Sequence, residues 1–152
     1  MKTLVLGLGN PILSDDAVGI RIARELRKRV DGVDVEEGAV AGITILDHIQ
    51  GYDSLVIVDS IKTGKSPPGH LHVLRPEDLD CVTRPSRSHH GLGLVRALSI
   101  GKRMGYDLPD TIRIYAVEVL RNDEFGEDLS PQVEESVPAV VEAIASYLTE
   151  RQ

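Results

Sequence analysis

The sequence predicts an α/β protein, a three-layer α/β/α sandwich on a five-stranded, mostly parallel sheet with one antiparallel strand. Two observations lead to this prediction. Short apolar runs alternate along the chain with amphipathic stretches of helical period, which is typical of parallel strands joined by crossover helices. The 152 residues also contain no repeat, linker or low-complexity tract, so we expect a single domain over residues 1–152.

The first half of the chain predicts the parallel core. Strands are predicted over residues 2–8 and 55–58, which are apolar runs, and over the short stretch 33–37. A helix is predicted over residues 17–30, where apolar residues recur at helical spacing, and a shorter helix over residues 43–49. This order of strand, helix, strand, helix and strand indicates parallel pairing.

The second half predicts one edge strand and two further helices. Residues 70–75 are typical of an edge strand, and their short connection to the preceding strand favours antiparallel pairing with it. A helix is predicted over residues 89–104 and a fifth strand over 111–119. Ser130 and Pro131 open the last helix, in which Pro138 predicts a bend or a local break.

Composition excludes several classes of protein. The net charge of −7 argues against a nucleic-acid partner, which normally meets a basic surface. There is no N-terminal signal pattern and no run of 18 apolar residues, so we expect no membrane association. The single Cys81 excludes an internal disulfide framework and a cysteine metal cluster. We expect a cytoplasmic protein that is a monomer when free.

Two adjacent carboxylates follow the first strand. Ser14, Asp15 and Asp16 precede the first helix, and such residues commonly cap helices. Because one carboxylate is enough for a cap, the second is available for another role. The nearby Gly7 and Gly9 do not indicate a dinucleotide site, since the fingerprint requires a third glycine where this chain has Ile12.

Three polar residues are placed where a site could form. Asp16 follows the first strand, Asp59 ends the third, and His89 and His90 precede a helix. Two carboxylates and an imidazole suit a divalent metal with positions left open for a substrate. The alternative is structural: the aspartates would bind loop amides, and the histidines would be solvated.

Several motifs of the chain together resemble those of a known family. The chain resembles the hydrogenase maturation endopeptidases, which trim the C-terminal tail from the large subunit of [NiFe] hydrogenases. The resemblance covers most of the chain. It rests on four segments in order: Gly7-Leu8-Gly9-Asn10 through Asp15-Asp16 to Gly19, the glycines Gly38 and Gly42, Val56-Ile57-Val58-Asp59, and His90-Gly91-Leu92-Gly93-Leu94.

The resemblance implies that Asp16, Asp59 and His90 are the catalytic residues and that they contact nickel already installed in the substrate. The spacing to the Leu-Gly-Leu segment favours His90 over His89. The partner would be the precursor of a [NiFe] hydrogenase large subunit, and the protease would need no permanent cofactor. Either nickel activates a water or Asp16 acts as a general base. Cys81 is disfavoured as the nucleophile because no histidine is tied to it by motif.

Two alternatives remain at this stage. The opening Gly-Leu-Gly-Asn-Pro also occurs in peptidyl-tRNA hydrolases, but those enzymes need an early histidine, and the first histidine here is His48. A nickel-dependent maturation chaperone without catalytic activity would show the same motifs. A cleavage assay distinguishes it from a protease.

Overall fold

In the part of the chain that the computed structural model describes, residues 1–39, 42–79, 91–120 and 124–151, five strands form one sheet. Their bounds are β1 (Thr3–Leu8), β2 (Asp34–Gly38), β3 (Ser54–Ile61), β4 (Leu71–Leu74) and β5 (Thr111–Glu118). The spatial order is β2–β1–β3–β5–β4, and only the β5–β4 pair is antiparallel. The mostly parallel sheet with one antiparallel strand is confirmed.

Helices cover both faces of the sheet. In the described residues they are α1 (Val18–Arg29), α2 (Ile45–Ile49), α3 (Gly91–Arg103) and α4 (Pro131–Glu150), with 3-10 turns at Ser14–Ala17, Gly42–Thr44 and Pro76–Asp78. The apolar residues of α1 and α4 share one core with one face of the sheet, and those of α2 and α3 share a second core with the other face. The predicted three-layer sandwich is confirmed.

The central strands are apolar because both of their faces are buried. Every residue of β1 and β3 is buried. Side chains alternate between the two cores, so that Val5 packs with α1 and α4 while Leu4 and Leu6 pack on the other side. Each such residue contributes roughly 1.5–3 kcal/mol through burial.

The predicted pairing of the edge strand with the strand before it is wrong. β4 pairs with β5, with Leu71 opposite Val117 and Leu74 opposite Ile114. The place beside β3 is taken by β5, which forms an eight-residue parallel ladder with it. β5 is largely buried whereas β4 is partly exposed, so burial favours β5 inside the sheet and β4 at its edge.

The last helix, α4, continues through Pro138. Of the predicted bend or local break, the break does not occur. Proline removes the hydrogen bond to the carbonyl of Glu134, but both residues lie on the exposed face of the helix, where water can reach that carbonyl. Neither α4 nor any other helix in the described ranges combines the length and apolar character needed to span a bilayer.

A close contact between α1 and the sheet fixes where the first helix begins. A Cβ atom on Gly19 would lie 2.4 Å from the carbonyl oxygens of both Leu8 and Val58, so only glycine permits this approach. One on Gly7 would lie 2.6 Å from the Cβ of Ala23. Helix α1 therefore starts directly against β1 and β3, and the turn before it lies at their carboxyl ends.

Asp15 joins this turn to the start of α4. Its side chain is fully buried, Oδ1 accepts the backbone N–H of Ser130 at 2.6 Å, and Oδ2 accepts the Ser130 hydroxyl at 2.7 Å. The N-cap position of α1 is held by Ala17, whose side chain makes no capping bond. The capping interpretation is therefore replaced by a long-range contact between residues 115 positions apart.

This contact yields a graded stability prediction. Asp15→Ala should lower the free energy of unfolding by about 3 kcal/mol, because the buried N–H and hydroxyl of Ser130 lose their charged acceptor. Asp15→Asn should cost about 1 kcal/mol, because its amide can accept from the N–H and donate to the hydroxyl oxygen. Denaturant unfolding measures both, with the exposed Asp107→Asn as control. Equal losses for the alanine and asparagine variants would contradict this role.

Candidate active site

Asp16 and Asp59 lie at the same edge of the sheet. Asp16 belongs to the 3-10 turn between β1 and α1, and Asp59 lies near the end of β3. Because β1 and β3 are hydrogen-bonded parallel neighbours, their carboxyl ends meet at one edge, where open α/β sheets bind ligands. Both residues are buried, with relative exposures of 7% and 6%.

Ser60 connects the two aspartates. Its hydroxyl donates to Oδ1 of Asp16 at 2.9 Å, and its backbone N–H donates to Oδ1 of Asp59 at 2.8 Å. Neighbouring residues of a strand point to opposite faces, so Ser60 reaches the α1 side of the sheet while Asp59 lies on the α2 and α3 side. One dipeptide thus ties the end of β3 to the turn after β1.

The second oxygen of Asp16 is held by the loop between β1 and α1. The backbone N–H of Asn10 donates to Oδ2 at 3.0 Å, while the Asn10 side chain accepts the N–H of Ile12 at 3.1 Å. Gly9 has a φ of 151°, and a Cβ atom there would lie 2.1 Å from the carbonyl oxygen of Asp16. The Gly-Asn pair of the motif therefore lets the loop close against Asp16.

Ser14 shows backbone strain beside the site. Its φ of 41° lies in the left-handed region, which residues other than glycine seldom adopt. Two hydrogen bonds hold it there: its N–H donates to the carbonyl of Gly126 at 2.9 Å, and its hydroxyl donates to the carbonyl of Asp128 at 3.0 Å. The described residues 124–130 thus support the turn that carries Asp16.

The third predicted residue, His90, lies outside the described residues, as do His89 and Cys81. It directly precedes α3 in the chain. Helix α3 leads to β5 through residues that bond to the amino edge of the sheet, where Gly51 N–H meets Asp107 and Asp110 N–H meets Asp53. A helix of 13 residues spans roughly 20 Å, so the first residue of α3, Gly91, lies towards the opposite, carboxyl edge of the sheet.

The chemistry of the described part is that of oriented carboxylates. Each Asp16 oxygen accepts one hydrogen bond and keeps further lone-pair capacity for a cation or a proton. Across residues 1–39, 42–79, 91–120 and 124–151, no group of three or more His, Cys, Asp or Glu side chains is arranged to hold a metal ion. A third metal ligand would have to come from outside these ranges or from a bound molecule.

Two residues at this edge were not singled out from the sequence. Ser60 directly follows Asp59, and this position next to a candidate site residue is the sequence feature that could have indicated its role. Glu118 ends β5 and is only 2% exposed. The sequence feature that could have indicated Glu118 is a carboxylate within an apolar run. Such a group is buried only where hydrogen-bond donors compensate its charge.

Comparison with known proteins matches the chain to a family. A family model described as hydrogenase maturation protease matches residues 20–147. The Hydrogenase 2 maturation protease of Escherichia coli (strain K12) is 33% identical over 153 residues, covering 99% of this chain and 92% of that protein. The range matched by the family model contains Asp59 and His90, and the alignment with the E. coli protein extends over almost the whole chain.

Solved structures agree with the sequence relatives. The hydrogenase maturating endopeptidase HybD from E. coli aligns with a TM-score of 0.85 at 32% identity, covering 99% of this chain and 94% of that one. The [NiFe] hydrogenase maturation protease HybD from Thermococcus kodakarensis aligns with a TM-score of 0.74 at 26% identity, covering 97% and 99%. These matches decide against a peptidyl-tRNA hydrolase, and the chain belongs to the hydrogenase maturation protease family.

Proposed function

We propose that this protein is an endopeptidase that removes the C-terminal extension of a [NiFe] hydrogenase large-subunit precursor after nickel insertion. The observation that carries the proposal is the pair of buried carboxylates, Asp16 and Asp59, fixed through Ser60 at the carboxyl edge of the sheet. Family membership supports proteolysis, and the names of the relatives supply the substrate class. The reaction takes place in the cytoplasm.

Nickel enters as part of the substrate. Two carboxylates and the imidazole of His90 form an incomplete set of ligands, whereas closed structural metal sites usually have four. Thiolates of the precursor complete the set and hold the ion more firmly, since they are the softer donors. The protease therefore recognises nickel on its partner and keeps no permanent metal.

The fixed orientation of Asp16 supports a direct role in the reaction. Hydrolysis adds water across one peptide bond and releases a carboxylate and an amine, so a proton must leave the water and another must reach the amine. Asp16 accepts one hydrogen bond at each oxygen and can receive a proton on a remaining lone pair. In this proposal Asp16 and Asp59 orient the nickel-bound tail, and Asp16 is the candidate base.

The first test removes single groups from the site. We expect Asp16→Asn and His90→Ala to abolish processing of the precursor while lowering the free energy of unfolding by no more than about 1–2 kcal/mol. The asparagine can accept from the Asn10 N–H and donate to the Ser60 hydroxyl, so the local fold persists. Processing assays and melting curves decide, with Asp107→Asn at the amino edge as the matched control.

Full processing by Asp16→Asn would contradict its catalytic role. A protein that binds the precursor but leaves the peptide bond intact, in the wild type as in the variants, would instead indicate a maturation chaperone.

The second test concerns the metal. The purified protease should carry little tightly bound metal, yet cleave only nickel-loaded precursor, because three donor residues without a cysteine hold a cation weakly until the thiolates of the substrate complete the ligand set. One precursor preparation is assayed before and after nickel insertion, and the protease alone is analysed for metal. Efficient cleavage of the nickel-free form would overturn nickel recognition. A stoichiometric, chelator-resistant metal in the protease would indicate an ordinary metalloprotease.

A further inference from the structure

Glu118 is a buried carboxylate that gathers hydrogen-bond donors from the connection after β3. Its Oε2 accepts the backbone N–H groups of Thr63 at 2.8 Å and of Gly64 at 3.3 Å. Its Oε1 accepts the Thr63 hydroxyl and contacts Nε2 of His72 at 3.1 Å. Burying this charge is costly unless donors surround it, and the donors come from the connection and from β4.

The backbone of Glu118 holds the other end of the same connection. The N–H of Gly69 donates to the Glu118 carbonyl at 2.8 Å, and the N–H of Glu118 donates to the carbonyl of His70 at 2.8 Å. Residues 62–70, here called the 62–70 segment, are therefore fixed at both ends by one residue. The rings of His70 and His72 also meet edge to face, with 4.8 Å between their centroids.

The 62–70 segment begins three residues after Asp59. It leaves β3 immediately after Asp59, Ser60 and Ile61, at the carboxyl edge of the sheet. In the strand register Asp59 and His72 both lie opposite Ala116, so the aspartate and the histidine lie on the same face of the two strands that flank β5. Glu118 lies one pleat further towards that edge and opposite Ile61.

We propose that the 62–70 segment is a preformed binding surface for the precursor chain and that Glu118, with His72, is the positioning pair that holds it. The inference rests on the proposed function. A connection that contains Gly64, Pro67, Pro68 and Gly69 would otherwise lose conformational freedom when the precursor binds. Holding it in place beforehand removes that cost from binding.

The structure predicts which kinetic constant depends on the positioning pair Glu118 and His72. Asp59 and Ser60 are already held by the β3–β5 ladder, opposite Ala116 and Val117, and by the bond to Asp16. Removing the Glu118 carboxylate frees the Thr63–Gly64 end of the segment but leaves this ladder intact. The effect should therefore fall on KM for the precursor, with kcat little changed.

A conservative variant of Glu118 separates the effect of holding the segment in position from the effect of the negative charge. In Glu118→Gln the amide oxygen can accept the N–H groups of Thr63 and Gly64, while its NH2 group donates to the Thr63 hydroxyl oxygen and to Nε2 of neutral His72. All the contacts can persist without the negative charge. Glu118→Ala removes every contact of the side chain and keeps the backbone bonds to Gly69 and His70.

The experiment measures precursor processing and amide hydrogen exchange on the full-length protein. We expect Glu118→Ala to raise KM about tenfold or more with kcat within about twofold, and Glu118→Gln to restore KM to within about twofold of the wild type. Exchange at the Thr63 and Gly64 amides should accelerate in the alanine variant only. Leu148→Ala, a buried change at the far end of α4, is the control that lowers stability without raising KM.

Each outcome bears on one step. Faster exchange with an unchanged KM would overturn the binding surface while leaving the proposed function intact. Unchanged exchange in Glu118→Ala would show that Glu118 does not hold the 62–70 segment in place. A tenfold rise of KM in Glu118→Gln as well would assign the effect to charge instead of position. If Glu118→Ala fails to fold, Thr63→Val removes the hydroxyl that donates to Glu118 and accepts the N–H of Lys65, and it should raise KM about two- to fivefold. Absence of cleavage by the wild type would refute the proposed function itself.

Discussion

The bridge made by Ser60 is the interaction on which the site depends. Asp16 and Asp59 come from different elements and from opposite faces of the sheet, and Ser60 bonds to both. The bridge forms only because α1 begins close to the strands, which requires glycine at position 19. The tight contact between helix and sheet thus fixes the position of a carboxylate three residues earlier in the chain.

Four carboxylates are buried around this edge, and oriented donors compensate each of them, with Asp59 accepting the backbone N–H of Ser60. Asp15 binds Ser130, Asp16 binds Asn10 and Ser60, and Glu118 binds Thr63, Gly64 and His72. Charge-assisted hydrogen bonds of this kind are strong and directional, whereas the surface ion pairs of α1, such as Arg21 with Glu134, are solvent-screened. Asp15 and Glu118 hold neighbouring segments, while each oxygen of Asp16 accepts one hydrogen bond and keeps further lone-pair capacity.

The sequence was most informative where the controlling interaction is local. Strands β1 and β3 and helix α1 were predicted to within a few residues, because burial on both faces or on one helical stripe leaves a clear apolar pattern. The partner of β4 was predicted wrongly, because strand order depends on burial compared between distant segments. Asp15 and Ser130 are 115 positions apart, so no local pattern could reveal their contact. The motif indicated Asp16 and Asp59, but the part played by Ser60 became visible only in the folded chain.

In the proposed function, the residues at this edge contact the nickel of the substrate. X-ray absorption at the nickel edge tests it directly, on the nickel-loaded precursor alone and on its complex with the protease frozen before cleavage. We expect complex formation to add oxygen and nitrogen donors to the sulfur ligands of nickel, with fewer oxygen donors when Asp16→Asn is used. An identical nickel environment in the free precursor and in a complex competent for cleavage would contradict it.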